Sequence, residues 1–358
     1  MNASRGPTLA TIVALTISAG ICPRSTAQEV FRLGPDDEWT HEATPAPGSP
    51  AEQLAQARVM LAEGRPDRAL NMTNRWMKRN PTSPLLPEAY LLRGDSLMGV
   101  GDEYESLYDY EYLVRRYPGS EVFSLALERE YEVAVKYAHG MRRKLFGIRM
   151  IDASDEAEEL LIRIQERMPG STLAARAGIQ LADMYFRHRR MTLAAEAYAI
   201  YIDRYPRSTN LDYARRRLIY SNIASFKGPQ FDIVGLLEAK AELKQLSASR
   251  PAEAARIGAE ALVLRIEESE SNKMLTTARW YLGDSDPISA EYTIRELIRK
   301  FPRSAASLQA LREIPTILSQ LPDSVIAHAP DYALLREKLL LGPEVPKAPG
   351  GEPAGDAP

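Results

Sequence analysis

Between residues 51 and 321 the chain is a series of amphipathic stretches, each closed by a short polar mark built on proline. The marks read Asn80-Pro81-Thr82-Ser83, Tyr117-Pro118-Gly119-Ser120, Met168-Pro169-Gly170-Ser171, Tyr205-Pro206-Arg207-Ser208 and Phe301-Pro302-Arg303-Ser304, with Arg250-Pro251 as a degenerate sixth. Pro81 and Pro118 stand 37 residues apart, as do Pro169 and Pro206; the other intervals run to 45 or 51, the same unit with an insertion. A period in this range is the signature of a helical-repeat solenoid. Such a fold buries a one-dimensional core and offers a long concave surface to partners. The pattern predicts an all-α fold of about five to six helix pairs.

The first pair is expected over residues 51–63 and 67–80, with Pro66 at a helix start, where its missing N–H costs nothing. The second covers 87–100 and 103–117. The third covers 122–138 and 155–168, with a long insertion between them. The fourth covers 173–187 and 192–205. The fifth covers 211–225 and 234–247, with an insertion through Gly228-Pro229-Gln230-Phe231-Asp232. The sixth opens with one long helix over 252–282 and closes with 288–301; a last helix covers 305–321. Together these define a repeat domain at residues 51–341.

The flanks differ. Residues 1–7 carry one Arg and no acid, residues 8–21 are apolar and small, and Ser25-Thr26-Ala27 is a small-residue cleavage site before Gln28. That is the form of an export signal at residues 1–27. The apolar run is shorter than the ~20 residues that a spanning helix needs. Cys22, the one cysteine, stands where bacterial lipoproteins carry their lipid, although Ile21 replaces the small residue a lipobox places before it. Two mature starts are therefore expected, Gln28 or a lipidated Cys22. Residues 28–50 read as an extended linker in which Phe31 and Trp39 either dock on the first helix or form a short partner motif. Residues 342–358 hold too much Pro, Gly and Ala to bury a face and are expected to be disordered.

Composition narrows the function classes. A 45% hydrophobic chain of 358 residues can bury a large core, while a net charge of −3 removes a whole-protein case for nucleic acid. One cysteine excludes an intrachain disulfide and a Cys-based metal site. His41, His139, His188 and His328 lie far apart, and no zincin, nucleophile-elbow, P-loop or dinucleotide motif occurs. Carboxylates are read as solvated helix faces. The expectation is a protein that is not an enzyme, with no cofactor, no metal and no small-molecule substrate. The basic runs Arg142-Arg143-Lys144, 187–190 and Arg215-Arg216-Arg217 are either ordinary surface charge or docking points for acidic partners or lipid headgroups.

Helix register suggests a binding face. Glu88, Leu91, Asp95 and Met98 in the second pair correspond to Arg176, Ile179, Asp183 and Phe186 in the fourth. Asp95 with Met98, and Asp183 with Phe186, pair a polar anchor with an apolar neighbour, as an extended peptide in a groove requires. Gln230 and Phe231 join them, because insertions in a solenoid usually map to one, often functional, face.

The fourth pair carries the tetratricopeptide pattern: Leu181, Ala182 and Tyr185 on its first helix, Ala194 and Tyr198 on its second, closed by Pro206. Tyr90, Gly94, Leu97, Ser106 and Tyr110 hold corresponding places in the second pair, and Tyr201 departs from the pattern, which has Ala there. More broadly, the segments 204–214, 227–232 and 278–311 resemble the BamD (YfiO, ComL) outer-membrane lipoproteins. The resemblance implies an exported, periplasm-facing scaffold associated with the outer membrane, which binds barrel-assembly components or client peptides and makes or breaks no bond. Membrane association would come through a lipid anchor or a partner. An alternative is a periplasmic adaptor in division or peptidoglycan work, of the TolA-binding coordinator type. An α-helical hydrolase with its site in the insertions would need a clustered acid–base pair, which the sequence does not show.

Overall fold

The computed structural model describes residues 30–33, 39–42 and 45–341. The expected export signal, Cys22 and the Pro/Gly-rich tail lie outside the described residues. The chain divides into two compact units, one ending at Val100 and the other beginning at Gly101.

In the first unit, β1 (Val30–Leu33) pairs antiparallel with β2 (Trp39–Glu42), placing Phe31 opposite His41 and Leu33 opposite Trp39. Three helices follow: α1 (Pro50–Ala62), α2 (Pro66–Arg79) and α3 (Leu86–Gly99). Ser49 caps α1 by accepting the Glu52 N–H at 3.2 Å. Trp76 is the centre of this core, packed with Leu54, Ala57, Ala89 and Leu92, and its indole N–H reaches the Pro50 carbonyl at 2.8 Å.

The second unit continues with α4 (Glu103–Arg116), α5 (Phe123–Ala138), β3 (Arg143–Leu145), β4 (Ile148–Ile151), α6 (Ser154–Arg167), α7 (Thr172–Arg187), α8 (Met191–Arg204), α9 (Leu211–Ser225) and α10 (Val234–Ser249). It ends with α11 (Pro251–Ile257), α12 (Ala259–Gly283), α13 (Pro287–Lys300), α14 (Ala305–Leu318), two short helices α15 (Asp323–Ile326) and α16 (Tyr332–Arg336), and a π turn at Glu337–Leu341. Neighbouring helices from α4 to α10 pack on one another in chain order, as do α12, α13 and α14. This is the all-α, helix-pair repeat expected from the sequence. Among the described residues the strands form only two-stranded ladders, and no helix is long and apolar enough to cross a membrane.

The proline marks have a common geometry with a physical cause. The residue before a proline is pushed out of the helical region, and each helix stops there: Asn80, Tyr117, Met168, Tyr205 and Phe301 are all terminal residues with ψ of 56–61°. In each of these five marks the serine N–H then closes a turn on that residue's carbonyl, at 3.0–3.3 Å. Ser171 and Ser304 do a second job, accepting the N–H of Ala174 at 3.0 Å and of Ser307 at 3.1 Å as caps of the next helix. At these two marks one serine closes the turn after a helix with its backbone N–H and caps the next helix with its side chain.

The sequence differs from the structure at three elements. The stretch expected as an extended linker carries the antiparallel ladder of β1 and β2, in which the Phe31 and Trp39 positions belong to paired strands. The long helix expected over 252–282 is broken at Gly258, whose φ of +67° is left-handed. Glycine adopts that conformation without steric cost, so it ends α11 as a C-cap. The insertion after α5 is a β-hairpin. Leu145 pairs with Ile148 across a two-residue turn, Phe146-Gly147, in which both residues have positive φ (50° and 82°). Positive φ at both central positions is the signature of the turn type whose twist matches a hairpin.

Candidate protein-binding groove

The helix contacts beneath the candidate site are made by small residues. Ala182 on α7 and Ala194 on α8 are wholly buried, and Tyr198 fills the space beside them. From that contact a polar network runs across three helices. Tyr198 on α8 and Tyr213 on α9 both donate their hydroxyls to Oδ1 of Asp183 on α7, Tyr213 at 2.8 Å. Burial and the bond to Asp183 push both hydroxyls above their ordinary pKa. Arg217 donates to the Tyr213 hydroxyl at 3.0 Å and lies 4.4 Å over the Phe186 ring. Asp183 and Phe186 thus already have partners inside the repeat.

The insertion loop after α9 is held at its base. Lys273 on α12 donates to the carbonyl of Phe231 at 2.7 Å and of Pro229 at 3.4 Å. Asp232 accepts from the N–H groups of Ile233 at 2.7 Å and Val234 at 3.1 Å, so the loop ends as the start of α10. Gly235 lets α10 approach α9: a Cβ there would stand 2.6 Å from the Ser225 hydroxyl oxygen and 3.0 Å from the Asn222 carbonyl.

These constraints leave a groove of about 550 Å³ bounded by α8, α9, the loop and α10. Ala195, Ala199 and Leu218 line it, with Glu196, Asp232 and Glu238 as acids. Phe231 and Val234 stand at its edge, 54% and 51% exposed. Thr192, Asn222, Ser225 and Lys227 also line it, and this mixture of small apolar, polar and mainly acidic groups suits an extended segment that carries apolar and basic side chains. Among the described residues no cluster of His, Cys, Asp and Glu could hold a metal ion.

The six residues proposed from the sequence fall in different parts of the two units. Asp95 and Met98 sit half-buried on α3, in the first unit. Asp183 and Phe186 belong to the polar network of α7 to α9. Phe231 reaches the groove, and Gln230 is exposed beside it in the same loop. Sequence reasoning missed Ala195, Ala199, Glu196 and Glu238. The available signal was the pair of small residues four apart on α8, which places both on one helix face.

Buried carboxylates were also missed. Glu130, Glu270 and Glu291 are almost wholly inaccessible rather than solvated. Glu270 is met by Lys240 at 2.8 Å and Lys300 at 3.2 Å. Glu291 accepts from Arg295 at 2.9 Å and from Tyr332 at 2.5 Å. Arg167 bridges Glu111 at 2.7 Å and Glu130 at 3.2 Å.

Residues 151–324 match the YfiO family, described as an outer membrane lipoprotein. The match contains all three segments whose resemblance to that family is visible in the sequence. Over that stretch the chain is similar to that family, and its fold is a tetratricopeptide-type series of helix pairs. Among solved structures, MamA from Desulfovibrio magneticus RS-1 is similar at 18% identity, covering 57% of this chain and 99% of its own, with a TM-score of 0.33. The C-terminal part of a TPR repeat-containing protein from Cytophaga hutchinsonii is 13% identical, covering 74% and 88%, with a TM-score of 0.37. The P58(IPK) TPR domain is 15% identical, covering 81% and 83%, with a TM-score of 0.27. No curated protein matches the chain significantly.

Proposed function

We propose that the protein is a non-catalytic, BamD-like scaffold of outer-membrane β-barrel assembly. It binds an assembly partner or an unfolded client segment in the groove between α8, α9 and α10. The observation that carries this reading is the family match over 151–324, which contains the whole groove and its insertion loop. The export signal expected at residues 1–27 supports a periplasmic location, with outer-membrane association through a lipidated Cys22 or through the partner. Asp95, Met98, Asp183 and Phe186 remain candidate contacts, joined by Gln230 and Phe231.

The test is affinity purification of the full chain from detergent-solubilised envelope, beside a Phe231→Ala chain. Barrel-assembly components should co-purify with the parent and be depleted at least several-fold by Phe231→Ala. Division or Tol components in their place would move the protein to the adaptor class. Equal recovery of barrel-assembly components by both chains would take the loop out of the binding site.

A further inference from the structure

The hairpin between α5 and α6 is the most unusual surface of the second unit. Its base is fixed by charge. Lys144 reaches Asp102 at 2.9 Å, Arg149 reaches Glu103 at 2.8 Å, and Arg143 reaches Glu156 at 2.8 Å while lying 4.2 Å over the Tyr104 ring. The acids Asp102 and Glu103 stand at the start of α4. The ribbon is therefore clamped to the helices and holds its tip in one place.

The tip is apolar and uncovered. Phe146 is 95% exposed, Ile148 66%, Met150 55% and Leu145 40%. Leu145 and Ile148 are cross-strand partners on one face, and Met150 is the extra residue of a bulge opposite Arg143 and Lys144. Phe146 has φ +50°, a conformation bulky residues rarely adopt. Asparagine, aspartate or glycine would fit that turn position at less cost. Phenylalanine there gains no packing within the unit.

Cations surround the base. Arg142 is exposed next to the hairpin, and among the described residues it forms no ion pair. The α7–α8 turn lies alongside, since Arg187 donates to the Ala138 carbonyl at 3.1 Å. Arg187 and Arg189 are exposed there and also form no ion pair among the described residues. Of the acids at the start of α6, Asp152 accepts from Ser154, Asp155 stands on the first turn, and Glu158 is taken by Arg190 at 2.7 Å.

We propose that this hairpin is a membrane-surface anchor, with Leu145, Phe146 and Ile148 entering the interfacial layer of a bilayer containing anionic phospholipid. Arg142, Arg187 and Arg189 meet the headgroup phosphates. A protruding apolar tip above a cationic base is the arrangement that binds such an interface, by buried apolar area together with electrostatic attraction. The hairpin shares no residue with the groove, so this surface is independent of the proposed partner site.

The experiment uses the full chain carrying Cys22→Ser and Phe146→Cys, labelled at position 146 with an environment-sensitive nitrobenzoxadiazole. Vesicles of phosphatidylethanolamine with phosphatidylglycerol should shift its emission to the blue and raise it several-fold. Vesicles of phosphatidylcholine alone, or added salt, should reduce the change. Leu145→Ser with Ile148→Ser should abolish it at an unaltered melting temperature, since both side chains are exposed. Arg142→Glu with Arg189→Glu should demand several-fold more lipid. Unchanged emission on anionic vesicles overturns the proposal. So does a blue shift produced only by delipidated envelope protein, which would assign the tip to a pocket on another protein.

Discussion

Single residues in this protein do more bracing than their composition suggests. Register made Asp183 a candidate anchor, yet its carboxylate accepts two tyrosine hydroxyls from the next two helices. Asp183→Asn should therefore lower stability by about 1–3 kcal/mol, the usual cost of a disrupted charge-assisted bond; thermal melts compare it with the parent, and an unchanged melt would free Asp183 for a partner. The Glu111–Arg167–Glu130 cluster makes a second residue-scale expectation. Burial pushes Glu130 up to about 8 against the opposing charge of Arg167. Glu111 is held down at about 2: burial works to raise it, and the bond to Arg167 and the charges of Arg163 and Arg115 outweigh that. A carboxyl raised on folding stabilises below its unfolded value of 4.5, and that contribution is lost as pH rises through about 8. Glu111 works in the opposite sense, its contribution being lost only as pH falls toward about 2. Melting temperatures of the parent should show a decline between pH 4.5 and about 8 that Glu130→Gln lacks. Parallel declines would place the titration elsewhere.

At the scale of elements, two glycines decide where helices end and how closely they approach. Gly258→Ala forces a left-handed alanine between α11 and α12 and should cost about 1–2 kcal/mol. The opposite result, a gain in stability, would mean that the two helices merge into the single rod the sequence suggested. Gly235→Ala puts a methyl group against the Asn222 carbonyl and the Ser225 hydroxyl. It should widen the α9–α10 contact, lower the melting temperature and weaken partner capture together. The helix boundaries themselves were legible because the chemistry is local: a proline disfavours the helical region one residue earlier, and a serine can cap the next helix. The hairpin was not legible. Its turn is Phe-Gly rather than Asn-Gly, and its strands are only three and four residues long.

For the whole molecule, a repeat array buries its core between neighbours, so a disturbance should remain near its origin. Ala182→Leu overpacks a wholly buried contact and should cost about 1–3 kcal/mol. Amide exchange should accelerate in α7, α8 and α9 while α13 and α14 keep their protection. Uniform acceleration across the second unit would show that it unfolds as one cooperative body.

The repeat period, the helix pairs and the small residues at their contacts were carried by the sequence alone, because each rests on local sterics or on periodicity, which a linear chain displays. The resemblance to an outer membrane lipoprotein family was carried by the sequence too, through the particular segments that match. Only the tertiary structure decided which carboxylates are buried, that Asp183 and Phe186 are engaged inside the repeat, that Phe231 edges a groove, and that the first insertion is a clamped hairpin. Those facts depend on residues far apart in sequence, such as Lys273 with Phe231 or Arg149 with Glu103, meeting in space. No periodicity records which distant charge or hydroxyl will be the neighbour.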